Sequence, residues 1–198
     1  MNGGLFMQYL KPEVRERILK VATDEFMQKG FLDVNMRHLA KLSGITVGNI
    51  YRYFPSKEKI LDQILEEPYQ QIINLIAKTD REIVGITVDE RFNYSIKSLV
   101  KICEAYSTTI LILLTKVKGS KYEKVYQQVR GAVLERIKFE FSHIDDDLAE
   151  AITEATLASV VHVLSKYHEE PGKLSPVLNK VIGYLFYQLD QRIEGKEN

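Results

Sequence analysis

Thr46, Val47, Gly48, Asn49, Tyr51, Arg52 and Tyr53 follow one another closely, and together they carry the groups that base edges and phosphates recognise. Arg52 offers a fork of donors to guanine or to phosphate, Asn49 matches adenine, and the methyls of Val47 or Thr46 match the thymine methyl. Gly48 lets a backbone approach closely, and Tyr51 and Tyr53 bring hydroxyls that suit phosphate. Lys57 and Lys59 fall in the first turn of the next helix, where the macrodipole disfavours cations, and a bound phosphate would relieve that misfit.

These side chains need two short helices to present them. Asn35 is placed to cap a first helix whose buried face is Met36, Leu39 and Ala40, and Gly44 stands where a tight turn requires positive φ. Thr46 is placed to cap a second helix. Ala40 is small enough for the two to cross closely, with Ile45, Ile50 and Phe54 fixing the crossing. The spacing predicts a helix-turn-helix over residues 35 to 53.

The segment resembles the TetR family of bacterial regulators through Arg37, Leu39-Ala40, Gly44-Ile45-Thr46, Gly48, Tyr51, Tyr53-Phe54, Lys57-Glu58 and Leu61. The likeness extends over residues 12 to 62 and includes the preceding helix with Phe26 and Lys29-Gly30-Phe31. The family more often has threonine or serine at the place of Asn35 and an acid at that of His38. The resemblance implies contacts to phosphate or groove from Thr46, Gly48, Tyr51, Tyr53 and Lys57, and sequence preference from Val47, Asn49 and Arg52. Asn35 and Arg37, at the start of the first helix, complete the expected DNA-binding set.

The bulk properties fit such a reading. With 198 residues, 45% hydrophobic and 27% charged, the chain can bury ordinary cores and is no candidate for disorder. Its net charge is zero, yet between Val34 and Ile60 five basic residues (Arg37, Lys41, Arg52, Lys57, Lys59) face the single acid Glu58. A basic segment in an otherwise acidic chain is the footprint of a local nucleic-acid contact. No apolar run approaches the roughly 20 residues that span a bilayer, the longest being Ile110 to Leu114, and the start has no signal-peptide pattern, so a cytoplasmic protein without membrane contact is expected. The single cysteine, Cys103, reads as a small buried apolar residue.

Helical periodicity runs through nearly the whole chain, which predicts an all-α fold of about nine helices. Residues 1–55 are expected to form the helix-turn-helix domain and 56–198 a helical effector-binding and dimerisation domain, with 56–67 opening the connecting helix. Pro12 suits the first turn of a helix that buries Val14, Ile18, Ala22 and Phe26 and stops at Gly30. Ser56 is expected to cap a longer helix that kinks or restarts at Pro68. Thr87-x-x-Glu90 and Ser120-x-x-Glu123 read as capping boxes, the second opening a helix to about Ser142. Asp145 starts another helix that ends near Pro171, and a last one is expected from about Leu174 to Ile193.

One module of this kind reads a half-site, so specific binding calls for a homodimer holding two of them about 34–36 Å apart on a double-stranded palindromic operator. A stripe of small residues with Ala151, Ala155, Ser159 and His162, and the nearly all-apolar last helix with Val181 and Leu185, are expected to pair with their copies in a four-helix bundle. The resemblance implies a pocket for a small, largely apolar effector, with Phe92, Tyr106, Tyr122 and Tyr126 as candidate lining residues, and hence a repressor released by that effector. An activator or an effector-independent regulator on the same fold is the alternative.

Enzymatic readings are weaker. Ser56-x-x-Lys59 and Ser98-x-x-Lys101 match a permissive hydrolase pattern without companion motifs. His143, His162 and His168 with Asp145, Asp146 and Asp147 contain no His pair at the i, i+4 spacing of a helical metal site, and the acids suit a helix start. Asn93-Tyr94-Ser95 is a glycosylation sequon by pattern only. No catalytic residue, metal or cofactor is therefore expected.

Overall fold

A computed structural model describes residues 10–78 and 88–193, and among them there are helices and no strands. The head consists of α1 (Pro12–Lys29), α2 (Met36–Leu42) and α3 (Val47–Tyr53). The long α4 (Lys57–Lys78) leads into a body made of α5 (Val88–Ala105), α6 (Ser107–Thr115), α7 (Val125–Glu140), α8 (Asp146–Tyr167), α9 (Pro171–Phe186) and the short α10 (Leu189–Ile193). The all-α fold is as the periodicity predicts. Helix α1 buries Ile18, Ala22 and Phe26 on the expected stripe, and it closes at Gly30, whose φ of 78° returns its N–H to the Phe26 carbonyl.

Four local expectations are corrected. Helix α4 runs through Pro68 as one helix, with Pro68 itself buried, so there is no restart. The Ser120-x-x-Glu123 sequence is a turn and not a capping box: the Ser120 hydroxyl donates to the Val117 carbonyl and accepts from the Tyr122 N–H, and α7 begins only at Val125. Pro171 opens α9 instead of closing α8, since proline's fixed φ and missing N–H suit a first helical turn. The single last helix is split, because Gln188 adopts φ 48° between α9 and α10. The proposed box at Thr87 lies outside the described residues.

One apolar cluster runs from head to body. It joins Ile18, Phe26, Leu39 and Ile50 of the head to Ile60, Leu61 and Leu65 of α4 and on to Ile110, Ile112, Leu164 and Leu178. Helices α1 and α4 both pack on α6, which is buried from Ile110 to Leu113. Helix α6 meets α5 at Tyr106 with a bend of 99°. In the body, α8 packs on both α7 and α9, and α9 also packs on α5. Helix α8 is long and apolar enough on average to cross a membrane, but it packs between α7 and α9, is capped by Asp145 and carries Asp146 and Asp147 in its first turn.

The joint between head and body uses the corner after α6. The Phe31 N–H donates to the Lys116 carbonyl at 2.8 Å, and Lys121 reaches Asp62 of α4 at 2.9 Å. Gly119, at φ 80°, lies against Leu32 so closely that an added Cβ would come within 2.4 Å of that side chain. We expect Gly119→Ala to lose about 1–3 kcal/mol in urea unfolding, since alanine in this backbone region is strained even if Leu32 moves aside. A stability equal to that of the parent would contradict the tight corner.

Cys103 is fully buried and its thiol is pushed up to about 12 by desolvation. At pH 9 the native protein should resist alkylation by iodoacetamide while the urea-unfolded chain reacts. The unfolded thiol ionises near its ordinary value of 9.0 and the folded one does not, so this group lowers folding stability as pH rises from 9 towards 12 and has little effect below. Rapid labelling of the native chain would overturn the burial.

Candidate DNA-binding site

Helices α2 and α3 are each held at their start by the cap the sequence predicts. The Asn35 side chain accepts from the His38 N–H at 2.9 Å, and the Thr46 hydroxyl accepts from the Asn49 N–H at 3.2 Å. Gly44 has φ 66°, so the turn between them uses the positive φ expected there. Leu39, Ala40, Ile50 and Phe54 are buried in the crossing, with Ile45 half-buried beside them.

The other side of α3 faces outwards. Thr46, Val47, Gly48, Tyr51 and Arg52 are exposed, and Asn49 and Tyr53 are half-buried. Val47 and Tyr51 are 39% and 50% exposed on this face. Asn35 and Arg37 are exposed at the start of α2. Beside α3 lies a hollow of about 490 Å³ lined by Leu10, Lys11, Val14, Thr46, Asn49, Arg52 and Tyr53. Its wall is fastened by the Lys11 N–H, which donates to the Tyr53 hydroxyl at 3.1 Å. That bond ties the entry of α1 to the end of α3, and it joins residues too far apart in sequence for local patterning to signal.

Lys57 does something other than its position in the sequence implies. Its ammonium donates to the carbonyls of Phe31 at 2.8 Å, Val34 at 3.0 Å and Leu32 at 3.2 Å, and it stands 4.3 Å from the centre of the Phe31 ring. The misfit of a cation at a helix start is thus relieved from inside the head, and no phosphate is needed to explain this lysine. Lys59 turns to Asp62 on its own helix at 3.3 Å. The Ser56 hydroxyl accepts from the Lys59 N–H at 3.4 Å, which gives that serine a capping role. The Glu25 carboxylate lies 3.2 Å from the His38 ring and 2.6 Å from the Lys29 ammonium.

The predicted pocket residues are placed elsewhere. Tyr122 is buried against Tyr69 in an edge contact, with its hydroxyl 3.3 Å from Glu66; burial raises its phenol to about 12. The Tyr106 hydroxyl donates to Glu67, and the Phe92 side chain lies outside the described residues. The apolar cavity of the body, about 530 Å³, lies among α4, α5, α7, α8 and α9, and neither Tyr106, Tyr122 nor Tyr126 lines it. Its walls include Ile72, Ile96, Val133, Ile182 and Phe186, together with Arg136. Tyr122 thus packs on α4 from the α6–α7 corner, and Tyr106 meets α4 from the α5–α6 bend. Of the candidate pairing residues, Ala151, Ala155 and His162 are exposed, and Ser159, Val181 and Leu185 are half-buried. Among the described residues no cluster of three or more His, Cys, Asp or Glu side chains is arranged to hold a metal, and Asp145 caps α8 through the Leu148 N–H at 2.8 Å.

A capped helix pair with an outward polar and aromatic face, set on an all-helical body, defines the class of helix-turn-helix DNA-binding proteins. Residues 18–64 match the family described as bacterial regulatory proteins, tetR family. Over 88 residues it is 38% identical to the HTH-type transcriptional repressor KstR of Mycobacterium tuberculosis, a match covering 44% of this chain and 39% of that protein. It is 25% identical over 126 residues to the HTH-type transcriptional regulator UidR of Escherichia coli, covering 63% of this chain and 61% of the relative. The matched part thus spans less than two thirds of the length of either relative. The whole fold is similar to that of a TetR-family regulator from Streptomyces coelicolor, with a TM-score of 0.69 at 19% identity over 92% of this chain and 96% of that one. It is also similar to Thermus thermophilus FadR, solved in complex with lauroyl-CoA, with a TM-score of 0.51 at 19% identity over 86% of this chain and 92% of that one.

Replacing Lys57 by methionine should lower the stability of the DNA-free protein by about 2 kcal/mol, because charged hydrogen bonds to three loop carbonyls are lost. Chemical unfolding of the purified variant measures this. An unchanged midpoint would mean that the carbonyls are met equally well by water.

Proposed function

We propose that the protein is a sequence-specific transcriptional regulator, a repressor that leaves a palindromic operator when a small apolar molecule enters the body. The observation that carries this reading is the outward face of α3, where Thr46, Val47, Gly48, Tyr51 and Arg52 stand exposed on a helix capped at its start and packed from behind. Asn49 and Arg52 supply base-reading donors and acceptors, and Tyr51, Tyr53 and Thr46 supply hydroxyls for phosphate, while Asn35 and Arg37 approach from α2. Lys57 acts from behind, by fixing the loop that aligns α2. The similarity of the head to KstR, a transcriptional repressor, supports the sign of regulation.

A single α3 reads one half-site, so the working unit is a homodimer. Exposed Ala151, Ala155 and His162 on α8 supply a face for it, and Tyr184 on α9 and Tyr187 just beyond it, at 80% and 67% exposure, extend the apolar surface. Ser159, Val181 and Leu185 lie at its edge. The division of labour places residues 1–55 on DNA and 56–198 on effector and partner, with α4 shared between them. Such a regulator works in the cytoplasm and needs no cofactor or catalytic group.

Selection from random double-stranded DNA should enrich a palindrome, with affinity that falls steeply as salt rises. On that sequence Arg52→Ala should reduce discrimination by about 1–3 kcal/mol at one base pair per half-site. Absence of any enriched sequence would overturn the reading, and so would an Arg52→Ala variant with unaltered specificity and affinity.

A further inference from the structure

We propose that a phosphate of the operator sits in the hollow between the entry of α1 and the end of α3, where the Tyr53 hydroxyl and the Lys11 ammonium receive it. This deepens the DNA-binding reading above and rests on it, and it adds the entry of α1 to a surface otherwise built from α2 and α3. Lys11 precedes Pro12, and a residue before proline is disfavoured in helical backbone. It accordingly stays extended, at φ −76° and ψ 122°, just outside the first turn. There its N–H donates to the Tyr53 hydroxyl at 3.1 Å, and both residues line the hollow with Thr46, Asn49 and Arg52. A phenol hydroxyl accepts through its lone pairs and donates one proton. With the Lys11 N–H as its donor, the Tyr53 hydroxyl must aim its own proton elsewhere, and no described residue accepts it.

The cations near the start of α1 are not equivalent. Arg15 donates to the Gln63 side chain at 2.7 Å and lies 5.1 Å from the centre of the Phe54 ring, and Arg17 donates to the Ser43 carbonyl at 2.8 Å. Both are committed to holding the head together. Lys11 is exposed, and its ammonium pairs with no described carboxylate. Its flexible four-carbon stem lets the charge swing over the hollow that its own residue helps to wall. The competing charge is Glu13 in the first turn of α1, which is exposed and does not line the hollow. One cation beside one unmet hydroxyl proton suits a singly charged phosphodiester. Helix α3 forms the other wall, and as the helix that enters the groove it brings a backbone phosphate to this place.

The test uses the full chain on its selected palindrome, together with Lys11→Gln, which keeps the main-chain N–H and removes the charge. Lys11→Gln should flatten the slope of log affinity against log salt by about 0.9 for each half-site, while selecting the same palindrome. Tyr53→Phe should weaken binding about two- to tenfold per half-site, the scale of one hydrogen bond, and leave that slope unaltered. The contact itself is read by replacing the phosphates of the palindrome one at a time with neutral methylphosphonate. One position in each half-site should weaken the unaltered protein yet cost Lys11→Gln nothing further, a coupling that a merely structural role of Lys11 does not give. An unchanged salt slope in Lys11→Gln, undiminished binding by Tyr53→Phe, or a scan in which every phosphate matters equally to both proteins would each overturn the proposal. In those cases the unaltered protein still binds its palindrome and the regulator reading stands, whereas failure of the unaltered protein to bind any sequence removes both.

Discussion

The loop between α1 and α2 leaves the carbonyls of Phe31, Leu32 and Val34 without helical partners, and the Lys57 ammonium gathers all three. A loop carbonyl that is neither solvated nor bonded costs free energy comparable to a lost hydrogen bond, so this convergence fixes the loop on the first turn of α4. The direction of α2 follows from the loop, and α3 is packed on α2. The orientation of the outward face of α3 therefore depends on a cation that does not lie on it.

The same loop is the point at which the head meets the body. Phe31 gives its N–H to the carbonyl of Lys116 at the end of α6, while its neighbour Leu32 lies on Gly119. Asp62 of α4 sits between Lys59 and Lys121; burial raises its pKa, but the hydrogen bonds from the two lysines outweigh that and hold it below its ordinary value. Glu66 and Glu67 reach the hydroxyls of Tyr122 and Tyr106. Helix α4 thus contacts the α6–α7 corner through polar groups along one edge and carries Ile72 and Ile76 into the cavity wall further on. A molecule that alters the spacing in the cavity acts on the same helix that holds the loop of the head.

Much of the head is legible in the sequence because its determinants are local. Asn35 and Thr46 cap three residues ahead, Gly44 is needed where it stands, and the buried positions repeat at helical spacing. The role of Lys57 is not legible, since its acceptors lie more than 20 residues earlier and nothing local points to them. The body shows the same division. Helical periodicity gives its class, but whether a tyrosine faces a cavity or a carboxylate is decided by packing among helices distant in sequence. One signal was present: Arg136 and Glu140 stand four apart, the spacing of a helical ion pair. The Ser120 turn failed as a capping box because the serine hydroxyl was already committed to the Val117 carbonyl.

The bond from Phe31 to Lys116 joins two main-chain groups, and any residue other than proline at position 31 can make it. A hydrogen bond of this kind tolerates side-chain exchange at either end, whereas the contact of Leu32 with Gly119 beside it does not. The seam between head and body therefore combines one contact that admits almost any residue with one that admits only glycine without strain.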